Sequence, residues 1–171
     1  MSGFHSHSQY MEPSMILDRD TINDTHILNA IQYSLSHYTP DCIQLSYDVS
    51  NLPFTLRAKT LIISYDVRNE TEAISLRRTI VQSHAKHIIL NGSTNLVQYI
   101  RENTICSGSG LFGAVLRNSY IQSFTVWDYK SGSGSESESR GDLKHDLKKE
   151  QRNYYRNMIT PIKKIKIRIV S

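Results

Sequence analysis

The chain has 171 residues, 39% of them apolar and 21% charged, which is enough to bury a core in a single domain with tails. It has no run of 18 apolar residues that could span a membrane, and its first residues lack the basic segment and apolar stretch of a secretory signal. The net charge of +4 is unevenly spread: residues 1–56 hold one basic side chain against six acidic ones, a net −5, and residues 57–171 hold 19 against 10, a net +9. Together with a mixed sheet, a basic C-terminal half is the electrostatic outline of a nucleic-acid binder rather than of a membrane or secreted protein.

Residues 1–15, with His5 and His7, read as a flexible arm. Asp20 caps a helix that runs to about Tyr38, with Ile27, Leu28, Ile31 and Leu35 as its buried stripe and Pro40 ending it. Ile43, Leu45, Tyr47 and Val49 alternate with Gln44, Ser46 and Asp48, the pattern of a half-exposed strand broken by Asn51-Leu52-Pro53. Residues 16–56 are thus a helix–strand extension of the domain that spans residues 57–171. Thr60-Leu61-Ile62-Ile63-Ser64-Tyr65 is a strand buried on both faces. Asn69-Glu70-Thr71-Glu72 starts a helix, Asn69 accepting from the amide three residues on and Glu72 reaching back to the amide of Asn69. Ala73, Ile74, Ile80, Val81 and His84 share one face of this helix, and Arg77, Arg78 and Gln82 turn away. His87-Ile88-Ile89-Leu90 is a second apolar strand, and Asn91-Gly92-Ser93-Thr94 turns into a second helix with Leu96, Val97 and Ile100 inside. Two strands joined through a helix form a parallel, right-handed crossover.

Ser107-Gly108-Ser109-Gly110 interrupts or ends the second helix, and Leu111 to Leu116 resumes as a helical turn. The Gly-Ser-Gly step has no strand before it and no GK[ST] after it, so it reads as a helix stop and not as a phosphate loop. Tyr120 to Lys130 is a strand with Phe124 and Val126 on one face and Thr125, Trp127 and Tyr129 on the other. Residues 131–139 repeat Gly, Ser and Glu without an apolar side chain and form a solvated loop, whose Ser133–Glu136 and Ser135–Glu138 spacings suit an acidophilic kinase. Residues 143–158 carry five cations with Tyr154 and Tyr155, either a solvated segment or a basic arm that orders on a polyanion. Ile165, Ile167 and Ile169 then alternate strictly with Lys164, Lys166 and Arg168. The isoleucines face the helices, and the cations line the open face of the sheet or guard an edge strand.

No catalytic set is present. Cys42 and Cys106 share no ligand spacing with each other or with a histidine and read as small buried thiols. His84 and His87 sit three apart at a helix end, where interaction with the helix dipole is the ordinary role. There is no Ser-His-Asp context, HExxH or phosphate loop, so neither enzyme, metal nor cofactor is expected.

Three places carry a likeness: His87-Ile88-Ile89-Leu90-Asn91-Gly92-Ser93-Thr94, the strand Tyr120 to Lys130, and the terminal Ile165-Lys166-Ile167-Arg168-Ile169-Val170. Strand, helix, strand, helix, then two strands around an extended loop resembles the Alba family over about residues 57–171. The insertion at 131–158, first acidic and serine-rich and then basic, is similar to that of the fungal Alba-type protein subunits of ribonuclease P and ribonuclease MRP. The resemblance implies an α/β, Alba-like two-layer sandwich, a β-α-β-α-β-β core with a long disordered loop before the last strand. It implies a heterodimer with a second Alba-type subunit, contact with the catalytic RNA and other ribonuclease P/MRP proteins, and residence in the nucleus and nucleolus. The chain would then be a non-catalytic subunit supporting 5′ maturation of precursor tRNA and rRNA processing. By position, Arg57 and Lys59, the turn Asn91-Gly92-Ser93, and Lys164, Lys166 and Arg168 match the family's RNA contacts, and Trp127 and Tyr129 are available to stack on unpaired bases. Gly92 stands without an arginine beside it and Lys59 stands alone where a lysine pair is expected, which moves the expected contact toward the last strand. Two other readings stay open: a protein-only adaptor that docks through its acidic N-terminal layer, and a general nucleic-acid coating protein.

Overall fold

The computed structural model describes residues 12–91, 95–96, 111–127, 152, 156 and 165–170. In chain order these form β1 (Met15–Leu17), α1 (Arg19–Ile22), α2 (Thr25–His37), β2 (Cys42–Leu45), β3 (Thr60–Ile63), α3 (Glu70–Gln82), β4 (His87–Asn91), α4 (Leu111–Arg117), β5 (Ser123–Trp127) and β6 (Lys166–Val170). The strands make one six-stranded sheet in the order β1-β2-β3-β4-β5-β6, and every adjacent pair is parallel. Because parallel crossovers are right-handed and the order never reverses, the connecting helices fall on one side. Without a reversal there is also no topological switch point, the crevice in which doubly wound sheets bind nucleotides.

Packing obeys this topology. Ile31 and Leu35 of α2, Leu76 and Ile80 of α3, and Ala114, Val115 and Leu116 of α4 share one core with alternate strand residues, among them Leu45, Leu61, Ile63, Ile88, Leu90, Phe124 and Ile167. Each fully buried Leu, Ile or Phe contributes about 1.5–3 kcal/mol. The opposite face carries a smaller cluster of strand residues alone, Cys42, Ile62, Ile89 and Trp127, with Val170 packed against it.

Asn69 caps α3 by accepting from the Glu72 amide at 2.9 Å, as expected, but the Glu72 carboxylate accepts from the Arg68 amide at 2.9 Å, one residue before the expected partner. The N-terminal helix is two helices. Asp18 caps α1 and Asp24 caps α2, the latter accepting from the amides of His26 and Ile27 at 3.0 and 3.1 Å. Asn23-Asp24 breaks the run because short polar side chains bond nearby amides in preference to continuing a helix. The buried row of α3 is Leu76, Thr79 and Ile80 with Ala73 half-buried, while Ile74 and Val81 are 39% and 48% exposed. The 3-and-4 spacing through Ala73, Leu76 and Ile80 sets that face; Ala73 and Ile80 of the expected row lie on it, and Ile74 and Val81 do not.

The larger correction concerns the sheet. The mixed sheet expected from the sequence is entirely parallel. The residues between Trp127 and Lys166 far exceed the dozen a parallel crossover needs, so nothing forces β5 and β6 into a hairpin. Residues 16–56, read as a helix–strand extension, supply β2 and most of β1, which extend the sheet beyond β3 and pack into the same core. Flanked on both sides, β2 is buried at Cys42, Ile43 and Leu45 instead of being half-exposed.

The register also aligns a repeat. β2 runs into Ser46-Tyr47-Asp48-Val49-Ser50-Asn51 and β3 into Ser64-Tyr65-Asp66-Val67-Arg68-Asn69, with Leu45 paired to Ile63 just before each string. Val49 and Val67 are both buried. Asp48 accepts from the Ser50 amide at 2.9 Å, and Asp66 accepts from the Asn95 amide at 2.7 Å. A string repeated on neighbouring parallel strands marks stacked, similar units.

Candidate nucleic-acid interface

On the face away from the helices, parallel pairing lines up side chains in rows. Cys42, Thr60, His87, Ser123 and Lys166 form one row across β2 to β6, and Gln44, Ile62, Ile89, Thr125 and Arg168 form the next. Each row begins with uncharged residues and ends in a cation. Lys166 and Arg168 are exposed, while Ile165 and Ile167 are buried at 6% and 8% exposure, so the alternation read from the sequence holds through Arg168. Among the described residues β6 is the edge of the sheet, with no strand paired on its outer side.

Beside them lies a pair that sequence reading did not foresee. His87 Nδ1 is 2.7 Å from Ser123 Oγ, across neighbouring strands. Burial lowers the His87 pKa below its usual 6.5, and the positive fields of Lys86 and Arg168 lower it further. His87 is therefore the first residue of a strand, not a helix-end residue. A helix C-terminus would raise a histidine pKa, the opposite of what is found. His84 is also displaced from that role: its backbone bridges Arg57, its ring stacks on Tyr120 at 4.2 Å, and burial, then Arg57, lowers its pKa.

The other expected contacts are dispersed. Arg57 and Lys59 are exposed just before β3, about 14 Å from the β6 edge by strand spacing, and Lys59 Nζ is 3.1 Å from Asp41 Oδ1. Asn91, at the far end of β4, donates to Ser64 Oγ at 2.8 Å. Trp127 is 7% exposed and packs in the small cluster, so its ring face is covered. Gly92, Ser93, Tyr129 and Lys164 lie outside the described residues, as do Cys106, the 131–139 loop and the basic segment except Arg152 and Arg156, both helical and exposed. Lys86, exposed before β4, joins Arg57, Lys59 and Lys166 at the strand N-terminal end. The signal that could have found His87 and Ser123 is their place at the same position of two apolar strands.

A serine hydroxyl on an imidazole is the minimal nucleophile and base. Here the charges acting on the imidazole are cations, which favour its neutral form and make it a poor base, whereas a triad needs a carboxylate on it. The arrangement is suited to holding an anion. Cys42 is fully buried and its thiol is pushed up to about 11 by burial and Asp41, so it is no thiolate ligand or nucleophile near neutral pH. Among the described residues no group of three or more His, Cys, Asp or Glu could hold a metal, and no helix is long and apolar enough to cross a membrane. Clefts of about 440 Å³, between the Val49–Leu56 loop and the end of α3, and about 380 Å³, beside Tyr47 and Leu28, lie away from β6. No protein-family model, curated protein or solved structure matches the chain.

Proposed function

We propose that this chain is a non-catalytic RNA-binding protein that grips backbone phosphates with the cationic edge at β6. In the specific form suggested by the sequence resemblance, it is an Alba-type subunit of ribonuclease P/MRP, acting in precursor tRNA and rRNA processing beside a second such subunit, in the nucleus and nucleolus. The observation that carries the broad reading is Lys166 and Arg168, exposed at alternate positions of an edge strand whose isoleucines are anchored in the core. The charge division supports it: residues 1–56, which include β1 and β2, net −5, and residues 57–171, which include β3 to β6, net +9. An all-parallel sheet supports the broad reading more than the specific one, which carried the expectation of a mixed sheet.

Filter binding to a stem-loop RNA at rising salt tests it. Each phosphate contact adds about 0.7–0.9 to the slope of log affinity against log salt, so K166A/R168A is expected to flatten the slope by about 1.4–1.8. A wild-type affinity indifferent to salt overturns the reading. Sequencing the RNA that copurifies tests the specific form, for which the ribonuclease P or MRP RNA is the expected species. A protein-only adaptor is the second reading, favoured by the stacked units and their repeated string, because such architectures present extended surfaces to protein partners. It predicts partners that copurify without RNA.

A further inference from the structure

Resting on the RNA reading, the geometry at the β6 edge supports something narrower than a general basic patch. We propose that His87, Ser123, Lys166 and Arg168 form one seat for a single phosphate group, in which His87 acts as a proton-gated cation. Ser123 sits between His87 and Lys166 in one row, and Arg168 lies two residues along on the same face. Neighbouring strands are about 4.8 Å apart and same-face residues about 7 Å, distances that long Lys and Arg side chains close on a shared anion.

The hydrogen bond between His87 and Ser123 supplies the gate. With the imidazole neutral and its proton on Nε2, the Ser123 hydroxyl donates to Nδ1 and is occupied. Protonation turns Nδ1 into a donor, so Ser123 Oγ accepts from it and its hydrogen is released toward the anion. One proton therefore adds a third positive charge and frees a hydroxyl donor together. The charges acting on the ring are Lys86, just before its strand, and Arg168 of β6, while Lys166 lies two strands along the row; β3 faces the ring with Thr60, and β5 with Ser123. Burial, and then the fields of Lys86 and Arg168, disfavour the protonated ring, and a phosphate placed among these cations opposes that bias. Binding must then tighten as pH falls through the usual histidine range and below it.

Two measurements on the full chain decide it. Affinity for a stem-loop RNA is measured at pH 7.5 and 5.5 at constant ionic strength, and the His87 ring is titrated by NMR with and without inorganic phosphate, assigned by its loss in H87Q. The wild type is expected to bind more tightly at pH 5.5, and phosphate to raise the His87 pKa. A rise of one unit corresponds to about tenfold tighter binding across the titration. H87Q is expected to lose the pH increment whatever its affinity at pH 7.5, S123A to lose part of it, and K166A/R168A to weaken binding at both pH values. An unchanged increment in H87Q, or a His87 pKa that phosphate does not move, overturns the seat. If RNA fails to bind at either pH while phosphate still raises the His87 pKa, the seat stands for a smaller phosphate ligand and the RNA reading falls.

Discussion

Asn118 shows how much one side chain can do. It is 7% exposed; its Nδ2 donates to the carbonyls of Ile80 and Ser83 at 2.8 and 2.9 Å, and its Oδ1 accepts from the Tyr120 amide at 2.9 Å. The Ile80 carbonyl, in the last turn of α3, also accepts from the Ser83 amide and hydroxyl, and the Ser83 carbonyl lies just past the helix end. N118A is therefore expected to cost about 1–3 kcal/mol in urea denaturation, because the groups left behind are buried. Tyr65 is the converse. Among the described residues its buried hydroxyl has no hydrogen-bond partner, and burial, then Asp48 and Glu72, push the phenol far above its usual range. Removing an unsatisfied group costs nothing, so Y65F should leave stability unchanged or raise it. A clear fall in the denaturation midpoint would show that the hydroxyl is satisfied in solution.

At the level of the element, α3 offers the sharpest contrast. Leu76 is 1% exposed and Val81 48% exposed, although both are aliphatic residues of the same helix. L76A is expected to cost about 2–5 kcal/mol, through lost burial and the cavity left behind. V81A is expected to stay within about 0.5 kcal/mol, the usual range at exposed positions. Equal losses in chemical denaturation would place the core on the face that periodicity alone suggested. The same reasoning governs β6, where buried Ile165 and Ile167 are the condition for presenting Lys166 and Arg168. Truncating an isoleucine should weaken RNA binding indirectly, in step with lost stability, and truncating a cation should weaken it alone.

Across the whole molecule, pH acts through two histidines whose folded pKa values lie below 6.5. The unfolded chain takes up protons first as pH falls, so the stability these groups contribute is complete above about pH 6.5 and is lost as pH drops through their folded values. Thermal melts should fall in midpoint between pH 7.5 and 5, with H84Q and H87Q each flattening the decline. Asp18 acts in a separate window. Hydrogen bonds from Thr21 hold its carboxyl below 3.8, so its contribution persists until the solution is more acidic than that. In the proposed seat, an RNA or phosphate ligand opposes the His87 effect, since it favours the protonated ring that burial and the neighbouring cations disfavour.

Much of the local structure was written in neighbouring residues. The apolar runs of β3 and β4, the Asn69 cap, the two faces of β5 and the alternation in β6 all depend on residues within four positions of each other, which is the range over which helical and strand periodicity is encoded. The direction in which β6 lies against β5 is not. An alternating strand presents the same two faces whether its neighbour runs with it or against it, so pattern alone left a mixed sheet as good as a parallel one. Whether β1 and β2 belong to the main sheet, which row of α3 goes inside, and the meeting of His87 with Ser123 across 36 residues were likewise settled when distant segments packed. Those outcomes come from burying one shared core, an energy that no single stretch of the chain contains.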